Sequence, residues 1–140
     1  MKPVLYLAAP LFSHSEKAFN VELAGILSVK FDVFLPQRDN HLIVDLIAGG
    51  MSVDAARRKV FDGDLAAIQS CDVLFAVLDG RSVDEGTCFE LGYAHASGKT
   101  CVGLQTDPRR LLPIGNNPML QCTLTQVLQS LDEVVAWARS

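Results

Sequence analysis

Two acidic side chains, Glu90 and Asp64, occupy positions where a carboxyl group could take part in chemistry. Glu90 falls in the second turn of a predicted helix, on a stripe shared with small residues such as Gly86 and Thr87, which leaves room for a substrate beside its carboxylate. Asp64 follows Gly63 inside another predicted helix, where Ala or Glu would be more stable. Two carboxyl groups can supply one nucleophile and one proton donor.

Each acid also has a structural explanation. A Glu in an early helical turn is favoured by the helix dipole whether or not it does chemistry. Asp84 stands where a helix N-cap is expected, and Asp72 precedes an apolar run, where it would cap or turn the chain. Residue types alone leave both explanations open.

The stretch at 72–107 positions Asp84 and Glu90. Its apolar run at 73–78, its turn at 79–82, a small-residue segment and a second apolar run at 101–104 predict strand, loop, helix and strand. The helix is expected to begin at a Ser82 capping box or an Asp84 N-cap and to end at Gly98, with Phe89 and Leu91 packed on the sheet. The loop before such a helix lies at the carboxyl edge of a parallel sheet, where α/β folds bind ligands.

Other segments complete an α/β pattern. The predicted elements are a buried strand at 4–9, a helix at 15–29, a strand at 31–35, helices at 42–47 and 53–70, a strand at 120–124 and a helix after Ser130. Residues 37–41 are expected to form a polar loop, and residues 106–119 an irregular region. We predict a flavodoxin-like or Rossmann-like three-layer sandwich with a five-stranded parallel sheet.

Length, composition and charge limit the number of domains and the kinds of partner that the protein can have. With 140 residues, 49% of them hydrophobic, the chain is expected to form one domain over 1–140. Its net charge of −4 argues against a nucleic-acid surface. No stretch has the form of a signal peptide or a membrane span, so we expect no membrane partner and a cytoplasmic location.

Cysteines and histidines give no sign of a metal site or a disulfide. The four cysteines lie in apolar runs without CxxC spacing and are expected to be reduced core residues: Cys71, Cys88, Cys101 and Cys122. Cys88 lies beside the acids, but nearby carboxylates would raise the pKa of its thiol and no His stands at a suggestive spacing. The histidines have no metal-ligand spacing, and no metal is predicted.

The order Asp84, Gly86, Glu90, Leu91, Gly92 resembles the motif of the nucleoside 2-deoxyribosyltransferase family. The resemblance extends from about residue 3 to residue 121, with further matches at Tyr6, Asp64, Asp72 and Asn117. The segment around Gly86 and Glu90 is also similar to phosphoribohydrolases that release cytokinins, but the double glycine that precedes it in those proteins is missing.

The resemblance implies a reaction and roles for its residues. Glu90 would attack C1′ of a deoxynucleoside, giving a covalent deoxyribosyl enzyme, while Asp64 hands a proton to the departing base and later takes it from the incoming one. Two inversions retain the β configuration. Tyr6 would orient Glu90, and Asp84 would accept a hydrogen bond from a sugar hydroxyl. By the same resemblance the substrates would be a deoxynucleoside and a free nucleobase, and no cofactor is expected.

The resemblance also implies residues that bind the substrate. Phe12 would stack on the base, Asn40 or His41 would contact it, and Gly86 would border the sugar. A neighbouring subunit would donate its own Asn117 and Met119, which implies a homo-oligomer, a dimer or a hexamer, with shared sites. Structural alternatives remain open, because Phe12 could staple a helix entry and Asn117 could lie in a proline-rich turn.

Two other functions compete with transfer. Water could replace the acceptor base, as in the related deoxynucleoside 5′-monophosphate glycosidases, but Asp84 and Glu85 at a helix start would repel a phosphate. The chain could also be a non-catalytic nucleotide-binding module, since a fold does not confer an activity.

Overall fold

The computed structural model describes residues 1–110 and 112–140, in which strands and helices alternate. Its elements are β1 (Val4–Ala8), α1 (His14–Leu27), β2 (Asp32–Phe34), α2 (Pro36–Asp39), α3 (Ile43–Ala48), α4 (Val53–Ser70), β3 (Val73–Val77), α5 (Glu85–Ala96), β4 (Thr100–Leu104), α6 (Pro118–Gln121), β5 (Gln126–Leu128) and α7 (Leu131–Arg139). Over the described ranges, none of these helices combines the length and the apolar character needed to cross a bilayer.

The five strands form one parallel sheet in the order β2-β1-β3-β4-β5. The three central strands are five residues long and almost entirely buried, because helices cover both of their faces. This order is the flavodoxin-like one, and it confirms the predicted class. It also makes β1 and β3 direct neighbours, with Leu5 opposite Val73.

Alternation along each strand divides the core into two layers. Leu5 and Leu7 of β1 pack with α1 and α7, whereas Tyr6 and Ala8 point to the opposite face, which is covered by α4 and α5. The result is the expected three-layer sandwich. Because Tyr6 shares its layer with α4 and α5, the topology brings its side chain to the two helices that carry Asp64 and Glu90.

Short polar contacts fix where the elements begin and end. Ser13 and Glu16 form a capping box, so α1 begins at His14, one residue before the predicted start. Asp84 is the N-cap of α5, and Gly98 follows that helix with a φ of +77° that favours glycine, as predicted. Asp72 Oδ2 accepts a hydrogen bond of 2.8 Å from the Val4 amide and so ties the start of β1 to the chain before β3.

Some boundary predictions are wrong. The segment at 120–124 is not the last strand: Asn117 caps a short helix with Pro118 at its first position, and the strand is β5 at Gln126–Leu128. Part of the polar loop at 37–41 is the helical turn α2, which Pro36 begins. Within the predicted irregular region, Leu111 lies outside the described residues.

All four cysteines are free, but they are not all core residues. Cys71 and Cys101 are buried, as expected, and Cys88 is half-buried. Cys122 is exposed, contrary to prediction, because the turn after α6 carries it to the surface rather than into a strand.

Candidate active site

A cavity of about 650 Å³ opens at the carboxyl edge of the sheet, between α4, α5 and the segments that follow β1 and β2. Most of its wall is apolar. Seven of the ten residues predicted to form the site line it: Phe12, Asn40, His41, Asp64, Asp84, Gly86 and Glu90. An eighth, Tyr6, lies directly behind the wall, where it is fully buried and in contact with Glu90.

Tyr6 and Glu90 form the central pair of the site. The Tyr6 hydroxyl donates a short hydrogen bond to Glu90 Oε2, and the Tyr6 ring stacks on Phe34 with centroids 5.4 Å apart. Burial, followed by the neighbouring charges of Glu90 and Asp64, raises the pKa of the Tyr6 hydroxyl. Tyr6 therefore keeps its proton and acts as a fixed donor that holds one carboxylate oxygen of Glu90.

Glu90 is a proton-binding group in the physiological pH range. Burial raises its pKa from 4.5 to about 8, and the charges of Asp64 and Asp84 add to this effect, while the Tyr6 hydrogen bond opposes it. A carboxyl group that ionises in this range at the wall of a cavity is a typical functional group.

Asp64 reaches the same cavity from α4. Asn40 Nδ2 donates a 2.7 Å hydrogen bond to its Oδ1, and the Tyr6 hydroxyl lies beside it. Burial raises the pKa of Asp64 above its ordinary value, against the smaller lowering effects of Asn40 and Tyr6. Both carboxyl groups therefore retain protons more strongly than in water, and Tyr6 lies next to both.

Asp84 combines a structural role with a place in the cavity wall. Its Oδ2 accepts hydrogen bonds from the amide of Thr87 at 3.0 Å and from the hydroxyl of Thr87 at 3.3 Å, which caps α5. Its Oδ1 forms no hydrogen bond with the residues that the structure describes, so one oxygen is left for a ligand.

Aromatic side chains surround the entrance, and the sequence pattern had missed two of them. Phe12 is 73% exposed and lines the cavity, so it does not act as a buried staple. Phe89 was predicted to pack on the sheet, but it is 53% exposed and lies 6.0 Å, ring to ring, from Phe61 of α4. Thr87, Leu91 and Ala94 take the buried face of α5 instead. Phe61 stands three residues before Asp64 on one helix, a spacing that would have indicated a shared face.

A comparison of most of the sequence with a family profile identifies the family of the chain. The sequence profile of the nucleoside 2-deoxyribosyltransferase family matches residues 5–132. The chain belongs to this family. Every residue that lines the cavity lies within the matched segment, including Asp64 and Glu90. No protein of curated function is a significant match to the chain.

Solved structures share the fold at low identity. A conserved protein from Enterococcus faecalis V583 has a TM-score of 0.82 at 22% identity, over 99% of this chain and 98% of its own. A 2-deoxyribosyltransferase from Bacillus psychrosaccharolyticus has a TM-score of 0.76 at 23% identity, over 94% and 90%. A CMP N-glycosidase from Clostridium botulinum has a TM-score of 0.60 at 22% identity, over 97% and 97%. The same fold is thus found in a 2-deoxyribosyltransferase and in a CMP N-glycosidase.

Two predicted residues of the deoxyribosyltransferase site lie elsewhere in the chain. Asn117 Oδ1 accepts a 2.9 Å hydrogen bond from the amide of Met119 and caps α6. Within its own chain, Asn117 therefore stabilises the proline-rich turn that begins this helix. Met119 is 80% exposed. Neither residue lines the cavity that holds Glu90, and their donation to a second subunit stays a prediction.

Proposed function

We propose that the chain is a nucleoside 2-deoxyribosyltransferase that moves the 2-deoxyribosyl group between nucleobases through a glycosyl-Glu90 intermediate. The observation that carries this proposal is the arrangement of Glu90, held by the Tyr6 hydroxyl, and Asp64 in one largely apolar cavity. Membership of the family and the fold shared with a 2-deoxyribosyltransferase support it.

The first half-reaction uses the two carboxyl groups in different protonation states. An oxygen of ionised Glu90 forms a bond to C1′ as the bond from C1′ to the base nitrogen breaks, and protonated Asp64 transfers its proton to the departing base. In the second half-reaction a nitrogen of the incoming base attacks C1′, Glu90 leaves as a carboxylate, and Asp64 recovers a proton from the base. Each step inverts C1′, so the product retains the β configuration.

The remaining residues bind and orient. Tyr6 fixes the rotamer of Glu90 and favours its ionised form, because a hydrogen bond to a carboxylate stabilises the charge. The available Oδ1 of Asp84 accepts a hydrogen bond from a sugar hydroxyl, and Gly86 borders the same part of the cavity. Phe12 at the entrance provides a face on which a base can stack, and His41 lines the same cavity.

The test is an exchange reaction with a leaving base that differs from the acceptor. Protein incubated with deoxyinosine and adenine is expected to yield deoxyadenosine and hypoxanthine. Chromatography of the reaction mixture measures both products. Glu90→Ala should abolish the product, whereas the exposed Glu22→Ala in α1 serves as the matched control and should retain it. Accumulation of free deoxyribose without deoxyadenosine would contradict transfer, and so would equal turnover by the Glu90 variant.

Hydrolysis of a nucleoside 5′-monophosphate is the second candidate. Two cationic residues, Lys17 and Arg57, line the cavity together with the acids, and the CMP N-glycosidase has the same fold. Asp84 at the start of α5 disfavours a phosphate at that helix end, so Lys17 and Arg57 are the groups available to bind one. Release of cytosine from deoxycytidine 5′-monophosphate, at a rate lost in Lys17→Ala and Arg57→Ala, would favour this candidate over transfer.

We also propose that the active form is a cytoplasmic homo-oligomer in which Asn117 and Met119 complete the site of a neighbour. Both residues lie outside the cavity of their own chain, and Met119 is largely exposed, as a donated side chain must be. A neighbouring chain over the open cavity would exclude water, which competes with the acceptor base for the glycosyl enzyme.

A further inference from the structure

The Asn40 side chain uses its hydrogen-bonding groups on the protein itself. Its Nδ2 donates to Asp64 Oδ1 at 2.7 Å and to the Val60 carbonyl at 3.1 Å, while its Oδ1 accepts from the His41 amide at 2.7 Å. The Val60 carbonyl can only accept and the His41 amide can only donate, so these partners fix which end of the Asn40 amide faces α4. Both N–H groups of Asn40 are occupied, which leaves none to contact a base.

Gly63 makes this arrangement possible. A Cβ at residue 63 would lie 2.7 Å from Asn40 Oδ1, 3.0 Å from its Nδ2 and 3.2 Å from its Cγ. These distances are shorter than van der Waals contact, and the amide cannot swing away without breaking its three hydrogen bonds. The backbone does not require glycine here, because Gly63 is not among the glycines with positive φ. Inside a helix, glycine is less stable than alanine, so the reason for Gly63 lies in the contact with Asn40.

We propose that Gly63 is a positioning residue that seats the Asn40 amide against α4 and thereby fixes the orientation of the Asp64 carboxyl group. The catalytic part of this inference rests on the proposed role of Asp64 as the proton donor. With Oδ1 of Asp64 accepting from Asn40, the transferable proton is carried by Oδ2. Asn40, expected from the family resemblance to contact the base, acts instead through Asp64.

A stability cycle tests the packing of Gly63 on Asn40 without any assay of activity. Gly25 in α1 is the matched control, since an added Cβ there would meet nothing within 4 Å. Gly25→Ala should raise Tm by about 3 °C through helix propensity. Gly63→Ala should instead lower Tm, by about 3 °C or more, because the new methyl group displaces a hydrogen-bonded amide.

The sign of the Gly63 effect should then reverse when Asn40 is truncated. In the Asn40→Ala background the obstructing amide is gone, and Gly63→Ala should raise Tm by about 3 °C, as at Gly25. Additive effects in this cycle, or a Gly63→Ala chain that is stabilised in the wild-type background, would overturn the proposal even if the enzyme proves to be a transferase.

Catalytic measurements separate positioning from a general loss of structure. Gly63→Ala and Asn40→Ala should lower kcat about tenfold or more for nucleosides with poor leaving groups, with little change in KM. The groups that face Asp64 are the Tyr6 hydroxyl of β1 and the Glu90 carboxyl of α5, and both remain in these variants. Loss of the Asn40 hydrogen bond should therefore raise the pKa of Asp64 further, as measured from the ¹³C shift of its carboxyl carbon.

These measurements distinguish a failure of the proposed function from a failure of the proposed role of Gly63. A protein that transfers nothing, but shows the Tm reversal and the raised pKa of Asp64, would refute the proposed function and leave the positioning role of Gly63 intact. An increase in KM alone, with the pKa of Asp64 unchanged, would mean that Asn40 binds the base directly and would overturn the inference.

Discussion

Replacing Glu90 by Gln should make the fold more stable at alkaline pH while it destroys the proposed nucleophile. In the folded chain the pKa of Glu90 is raised from 4.5 to about 8, chiefly because the carboxyl group is buried. Between these two values the folded state holds the proton and the unfolded state releases it. Stability is therefore lost progressively as pH rises from about 4.5 to about 8, and a neutral amide avoids this loss.

The size of the effect follows from the two pKa values. The pKa of about 8 exceeds 4.5 by about 3.5 units, and each unit corresponds to about 1.4 kcal/mol. The advantage of Glu90→Gln over the wild type should grow from about 1 kcal/mol at pH 5 to about 5 kcal/mol at pH 9. The Tyr6 hydroxyl can still donate to the amide oxygen, so the substitution keeps the main polar contact of the pair.

Urea unfolding at pH 5, 7 and 9 measures this difference directly. Glu22→Gln, an exposed position on α1, is the control and should show little change at any of the three values. If the free energies of unfolding of Glu90→Gln and wild type differ by the same amount at all three pH values, Glu90 does not carry a raised pKa, and our account of its electrostatics is incorrect.

Three further predictions concern activity. Asp64→Asn should slow nucleosides with poor leaving groups far more than those with good ones, because the amide binds the base but supplies no proton; equal slowing in a leaving-group series would make Asp64 a binder only. Tyr6→Phe should raise the pKa of Glu90 by about one to two units, since a hydrogen bond to the charged form is lost. The acidic limb of kcat/KM, on which activity rises as Glu90 ionises, should move to higher pH by that amount, and an unmoved limb would contradict the role of Tyr6. Mixed Glu90→Ala and Asn117→Ala chains should recover part of the activity that each has lost, and failure despite subunit exchange, shown by mass spectrometry, would refute the shared site.

The elements that hold the site could be predicted because their signals are local. The apolar runs around 73–78 and 101–104, the Asp84 cap and the Gly98 stop all act within a few residues, so they specify β3, α5 and β4. The parallel class then places their loops at one edge of the sheet. That edge does hold Asp84 and Glu90, and it also holds Asp64, which reaches it from α4.

The contacts that finish the site are long-range, and no local pattern encodes them. Asn40 lies 24 residues before Asp64, and no local pattern predicts that the two side chains meet. The family resemblance implied a contact of Asn40 or His41 with the base, whereas the N–H groups of Asn40 donate to Asp64 and to the Val60 carbonyl. The direction of Phe89 depends on whether α5 turns that residue towards the sheet or towards α4, a rotation that short apolar spacing does not fix. The final strand was misplaced because its three residues are partly polar and follow a helix capped by Asn117.

Both edges of the sheet are short. The outer strands β2 and β5 contain only three residues each, and exposed polar side chains stand at Asp32 and Gln126. Strands this brief expose few unpaired amides and carbonyls, and this is one way in which natural sheets avoid joining edge to edge with other copies. The native chain should therefore remain free of thioflavin-binding aggregates at high concentration, and contacts between copies should involve helices and loops rather than a sheet continued from one molecule into the next.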